Sequence, residues 1–186
     1  MKKSRIIEHL SGPATPQLPA SHSREIGRII VHWSYFEHCV QESIWELLQI
    51  SEPAGRLTVR EPRVTDRLEM LRDLMTVYNG SWDRALYKSV YTAASLLAAK
   101  RHLLAHGIWF HHKAAGEWHV QLTRGTWPKN IAELEAASKK IIPESVPISL
   151  DDLRSATKEI HTLIADLKRL RASATARPPP LPETHP

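Results

Sequence analysis

Three long segments of this sequence place apolar residues at three- and four-residue steps, the spacing of one face of an α-helix. They cover residues 25 to 50, 82 to 106 and 150 to 172, and a shorter segment of the same kind ends near residue 80. Helices of about 25 residues are roughly 40 Å long. The pattern therefore predicts an all-α fold, an antiparallel up-and-down bundle of four to five helices.

Residues 108 to 124 follow a different period. Apolar and polar side chains alternate on either side of Ala114-Ala115-Gly116, a segment suited to a turn. Alternation of this kind is typical of strands. We expect a small β-hairpin inserted in the bundle.

The ends of the chain differ in composition from the middle. Residues 1 to 24 contain three prolines, and residues 173 to 186 are rich in proline. Proline lacks a backbone donor and disfavours regular structure. We expect a flexible leader over 1–24, one helical domain over 25–172 and a disordered tail over 173–186.

Local signals predict where elements begin and end. Thr65 and Ser81 are candidate N-caps, and Ser149 with Asp152 matches a capping box with Asp in place of Glu. Residues 51 to 55 predict a break after the first helix. Residues 130 to 141 are compatible with a short amphipathic helix.

Charge and cysteine content limit the classes of function. The chain has 25 Lys and Arg against 20 Asp and Glu, a formal net charge of +5, which is compatible with a polyanionic partner without requiring one. The single cysteine, Cys39, excludes an internal disulfide; we expect it to be a small buried side chain in a cytoplasmic protein. No apolar run reaches the roughly 20 residues of a membrane span.

An arginine occupies the apolar stripe of the second long helix. Leu86, Val90 and Leu97 lead to Arg101 at helical spacing. A guanidinium cannot be neutralised by deprotonation, so on a core-facing stripe it needs a partner or an open cleft. Glu37 lies on the stripe of the first helix and is the predicted counter-ion. The alternative is that Glu37 reaches solvent.

His106 follows Arg101 by five residues and is about 140° away around an ideal helix. If both side chains act on one substrate, the helix ends or distorts between them, or a second copy of the chain completes the site. Gly107 suits the first option, since helices commonly end with a left-handed glycine. The small residues Ala94, Ala98 and Ala105 suit either a second copy or packing within the monomer.

The segment Arg101-His102-x-x-x-His106, followed by Gly107-Ile108-Trp109, resembles the Rx4-6H motif of HEPN domains. The resemblance covers residues 25 to 172 in architecture. It implies a metal-independent endoribonuclease that dimerises through the motif helix, and a toxin or a phage-defence effector. Arg101 and His106 would be the catalytic pair, with His102 in the position where Asn is commoner.

The same resemblance implies partners and an alternative. RNA, a second copy, and an antitoxin or nucleotidyltransferase would be the partners, with no cofactor, metal or membrane. Other HEPN domains lack catalysis and bind RNA, nucleotides or proteins, and a module of that kind is the alternative function.

The chemistry of the motif agrees with RNA cleavage. A histidine can move protons near neutral pH, and an arginine offers a planar fork of donors to a phosphate. One histidine is too few for both proton transfers, whereas a symmetric dimer would supply two. A metal site built from His102, His106, His111, His112 and His119 is disfavoured, because no cysteine or carboxylate cluster accompanies them.

Overall fold

A computed structural model of the chain describes residues 17–58, 63–78, 82–112, 115–121 and 145–174. These residues form five helices and one three-stranded sheet. In chain order they are α1 (Ala20–Leu47), α2 (Glu52–Thr58), α3 (Val64–Tyr78), α4 (Arg84–His106), β1 (Ile108–His112), β2 (Glu117–Gln121), β3 (Val146–Pro147) and α5 (Leu150–Ala174).

The four longer helices form a bundle, which confirms the predicted all-α class with a small hairpin. α1 packs along α5 and against α3, and α4 packs against α5 and α3. Residue numbers increase together in the contacting pairs of α1 and α5, from His32 with His161 to Glu46 with Arg171. These two helices therefore run in the same direction. The end of α4 meets the hairpin beside the start of α5, so α4 runs antiparallel to both.

The core is built from the apolar stripes that the sequence predicts. Trp33, Phe36, Leu68, Val90 and Ile160 are almost completely buried, and every helix of the bundle contributes. Each such side chain stabilises the fold by about 1.5–3 kcal/mol relative to exposure. Cys39 is 5% exposed, as predicted for a small buried side chain.

Helix α1 begins earlier than predicted. Its first residue, Ala20, lies inside the expected leader, which is therefore wrong for residues 20–24. Pro19 precedes the helix with φ −53° and ψ 142°, a conformation that proline adopts readily. Residues 1–16, the predicted helix over 130–141 and the tail from 175 lie outside the described residues, while α5 continues two residues past 172.

One of the three predicted caps is confirmed. Asp152 N–H donates to Ser149 Oγ at 3.1 Å, and Ser149 N–H donates to the Asp152 carboxylate at 2.8 Å. The other two are wrong. Asp83, not Ser81, caps α4 by accepting from Leu86 N–H at 2.8 Å. Helix α3 begins at Val64, so Thr65 lies within its first turn.

The predicted break after the first helix is present, but it lies at residues 48–51 rather than 51–55, because α1 ends at Leu47 and α2 begins at Glu52. Pro53 is compatible with a first helical turn, where a backbone donor has no partner in the helix. Gly55 faces the indole of Trp45, and a Cβ at this position would lie 2.4 Å from the ring. The absence of a side chain lets α2 pack closely on α1.

The hairpin is confirmed. A third strand, which the sequence did not predict, extends its sheet. β1 and β2 pair antiparallel with Phe110 opposite His119. Gly116, in the turn, has φ +69°, a conformation that favours glycine. β3 pairs with the other edge of β2. Its two residues are too few to show alternation.

None of the helices in the described ranges combines the length and the hydropathy required to cross a bilayer.

Candidate functional site

Helix α4 is continuous through the whole motif. It includes both Arg101 and His106, and Gly107 N–H closes the last turn by donating to Leu103 O at 2.8 Å. Gly107 itself is extended, with φ −77° and ψ 152°, so the predicted left-handed glycine is wrong. Ending or distorting the helix between Arg101 and His106 is therefore excluded.

Gly107 is needed for a different reason, namely the close approach of β2. A Cβ here would lie 2.3 Å from Val120 Cγ2 and 2.5 Å from Leu103 O. Trp109 strengthens the same junction by donating from Nε1 to Leu104 O at 3.2 Å. The hairpin is thereby held against the end of α4, directly beside His106.

Arg101 is half-buried and has no hydrogen-bond or ion-pair partner among the described residues. Its Nε is buried without a hydrogen bond, and no ion pair joins its guanidinium to a carboxylate in the described part of the chain. A buried polar atom on a charged group is costly when unpaired. The guanidinium is therefore suited to bind an anionic ligand.

The predicted pairing of Glu37 with Arg101 is not present. Glu37 is half-buried and instead accepts a hydrogen bond from Trp33 Nε1 at 2.9 Å. The two residues are four apart on α1, so they meet on one helix face without help from α4. The carboxylate thus provides the hydrogen-bond acceptor for a buried indole N–H of its own helix.

His102 and His106 are exposed one turn apart on α4. Their ring centroids are 4.8 Å apart with an angle of 49° between the planes. Arg101 lies about 140° from His106 around the straight helix. Within one subunit these side chains point in different directions, so joint action on one phosphate requires a second copy.

The surface between Arg101 and His106 consists of small residues. Ala98 and Ala105 are half-buried and His102 is exposed, whereas Ala94 is fully buried in the core of its own subunit. Of the three alanines considered from sequence, Ala94 therefore serves packing within the monomer. Ala98 also packs partly against this core, and Ala98 and Ala105 both border solvent.

Helix α3 contacts the first half of α4. There Tyr87 donates to Leu68 O at 3.2 Å and Tyr91 donates to Glu69 at 2.8 Å. Both tyrosines precede Arg101 by at least about 15 Å along the axis of α4.

Lys100 adds a second cation at this end. Its Nζ lies 3.8 Å from Glu159 of α5. Asp152, at the start of α5, has a lowered pKa because its carboxylate accepts hydrogen bonds from Ser149, with a smaller contribution from the charge of Lys100. The Asp152 carboxylate is therefore ionised near neutral pH.

The hairpin brings together three rings, of which the sequence analysis considered His112 and His119 only as disfavoured metal ligands. His119 lies between Phe110 and His112, with centroid distances of 5.7 and 5.1 Å and interplanar angles of 28° and 36°. Alternation already placed Phe110 and His112 on one face, but only the register places His119 beside them. In the described ranges, no group of three His, Cys, Asp or Glu side chains is arranged to hold a metal ion.

Comparisons with known proteins give no further guidance, since no family model, no curated protein and no solved structure matches the chain.

Proposed function

We propose that this protein is a cytoplasmic, metal-independent endoribonuclease that acts as a homodimer. The observation that carries the proposal is the guanidinium of Arg101, half-buried and without a partner in the described residues, on the same continuous helix as the exposed His102 and His106. The resemblance of this segment to the Rx4-6H motif of HEPN domains is the second support.

In the proposed reaction, RNA is cleaved by its own 2′-hydroxyl. His106 of one subunit removes the proton as the 2′-oxygen attacks the phosphorus. His106 of the other subunit protonates the departing 5′-oxygen, which leaves a 2′,3′-cyclic phosphate. Arg101 donates to the phosphate oxygens, where negative charge accumulates in the transition state.

A dimer through the second half of α4 supplies these groups. Three residues lie between Arg101 and His106 around the helix axis: Ala98, His102 and Ala105. The two alanines are small enough for close helix packing. Two antiparallel copies packed on this surface would place Arg101 of one subunit opposite His106 of the other. The proposal extends to a toxin or phage-defence role, with an antitoxin or a nucleotidyltransferase as partner.

The test is RNA cleavage in EDTA by wild type, Arg101→Ala and His106→Ala. We expect each substitution to reduce the cleavage rate at least about 100-fold, as is typical for the loss of a proton-transfer or charge-stabilising group. His161→Ala, which removes an exposed histidine of α5, serves as the matched control and should cleave as wild type does.

Mixing each variant with wild type tests the composite site. A dimer of wild type and Arg101→Ala keeps both His106 side chains and one Arg101, so it should retain partial activity. A dimer of wild type and His106→Ala has one histidine for two proton transfers, so it should be inactive. If wild type cleaves neither single-stranded RNA nor tRNA, the proposal fails. Saturable binding without product, insensitive to His106→Ala, would instead establish the alternative, a non-catalytic RNA-, nucleotide- or protein-binding module.

A further inference from the structure

The outward face of the hairpin carries a row of three rings. Phe110 and His112 alternate with Trp109 and His111 along β1, so they point away from the side that packs on α4. His119 of β2 lies between them, with its ring plane inclined by 28° to that of Phe110 and by 36° to that of His112. One face of the hairpin is thus lined with flat π surfaces.

The middle ring of this row is fixed in place. His119 is 13% exposed, its Nδ1 lies 3.2 Å from Ser145 Oγ, and Pro147 of β3 is its neighbour across the sheet. The Nε2 of His119 is buried without a hydrogen bond within the described residues. His112 is exposed, so the row ends in a ring that a further flat group can cover.

The charges beside the row favour a base over a phosphate. Glu117, directly opposite His112 in the register, is exposed, and its carboxylate lies 3.9 Å from His119 Nε2. A carboxylate repels the phosphate backbone but accepts hydrogen bonds from an exocyclic amino group of a base. Stacking of bases on aromatic side chains is the common means of holding single-stranded RNA.

The row is also close to the motif. His112 follows His106 by six residues, of which the last five form β1, so the two lie within about 20 Å along the chain. A few nucleotides of extended RNA span that distance. The docked junction at Gly107 keeps the hairpin from moving independently of α4.

The geometry points to a base-stacking subsite at this row: a nucleobase of the RNA strand, flanking the cleaved phosphate, stacks on His112, which contacts His119, which in turn contacts Phe110. The inference rests on the proposed function, because it assumes that the strand in the cleft is RNA. It adds the element that holds the substrate beside the cleavage site.

Binding of a labelled RNA oligonucleotide with 2′-O-methyl groups throughout tests this subsite, since such a strand cannot be cleaved by 2′-hydroxyl attack. We expect His112→Ala to weaken binding about 5- to 100-fold, the effect of removing one stacked base contact. His112→Phe keeps a ring without charge and should bind within about threefold of wild type. His112→Lys keeps a charge without a ring and should bind as weakly as the alanine variant.

His111→Ala is the matched control, because His111 is an exposed histidine on the opposite face of the same strand. Its binding should equal that of wild type. The subsite is refuted if His112→Ala binds as wild type does, or if the lysine variant binds tightly and the phenylalanine variant does not. Ring-dependent binding without any cleavage of natural RNA would refute the nuclease and leave the subsite standing, whereas a wild type that binds no RNA would refute both.

Discussion

The two ends of the bundle differ in how their ionisable side chains are paired. Where α1 and α5 end, Arg171 donates to the carboxylate of Glu46. Where α4 ends and the hairpin begins, Arg101 Nε and His119 Nε2 are buried without a hydrogen bond in the described residues. Unpaired buried polar atoms reduce stability. The end of α4 is therefore the part of the molecule suited to a ligand.

Two further buried donors have no hydrogen-bond partner in the described part of the chain, namely the indole nitrogens of Trp45 and Trp82, and they do not weaken this contrast. An indole carries no charge and does not titrate. Among the buried atoms of the described chain that have no hydrogen bond, those on side chains able to carry a charge belong to Arg101 and His119, and both lie where α4 meets the hairpin.

The largest expected difference in stability is between a substitution in the core and a substitution at the end of α4. Phe36→Ala should lower the free energy of unfolding by about 3–5 kcal/mol, because it removes a completely buried ring. Arg101→Met, which keeps the stem and removes the unpaired charge, should leave stability unchanged or raise it by about 1 kcal/mol. Urea denaturation measures both. A loss above about 2 kcal/mol for Arg101→Met would mean that the guanidinium has a structural partner, and the contrast would disappear.

A pair of glycine substitutions tests the junction between α4 and the hairpin. Gly107→Ala should cost about 1–3 kcal/mol, because its Cβ would overlap Val120 and Leu103 O. Gly27→Ala, inside α1, is the control: its Cβ would meet no atom of the described residues within 4 Å, so it should stabilise the fold by about 0.5–1 kcal/mol. Thermal unfolding of the two variants should shift in opposite directions, and equal shifts would contradict the close approach.

Removing the cap of α5 should have a moderate effect. Ser149→Ala removes the acceptor of Asp152 N–H and should cost about 1 kcal/mol. Ser155→Ala provides the comparison, since the Ser155 hydroxyl is exposed and contacts only the Glu159 carboxylate among the described side chains. Chemical denaturation should separate the two variants, and equal losses would mean that capping is not the reason.

The smallest effect is a pH dependence at the seam between α1 and α5. The pKa of His32 is lowered from 6.5, first by burial and then by the positive charges of His161 and Arg28. The unfolded chain therefore binds more protons than the folded chain between the folded pKa and 6.5, so stability falls as pH decreases through that window. In melting curves between pH 7.5 and 5, His32→Gln should show a shallower decrease than wild type. An unchanged slope would exclude this residue as the source.

Much of the fold could be predicted from the sequence. The stripes of α1, α4 and α5, the burial of Cys39, the hairpin and the cap at Ser149 all follow from spacing and local chemistry. Helix starts were less predictable, because several residues near Ala20, Glu52 and Arg84 can cap or begin a helix and packing decides among them.

The sequence by itself determined which residues occupy the motif and which face of each helix they share, because helical periodicity is a local property of the chain. Tertiary structure alone decided that Glu37 serves Trp33 rather than Arg101, that Gly107 is extended against Val120, and that His119 joins Phe110 and His112. Such contacts depend on how far each element is shifted and rotated relative to its neighbours. Residue spacing within one segment carries no information about those shifts.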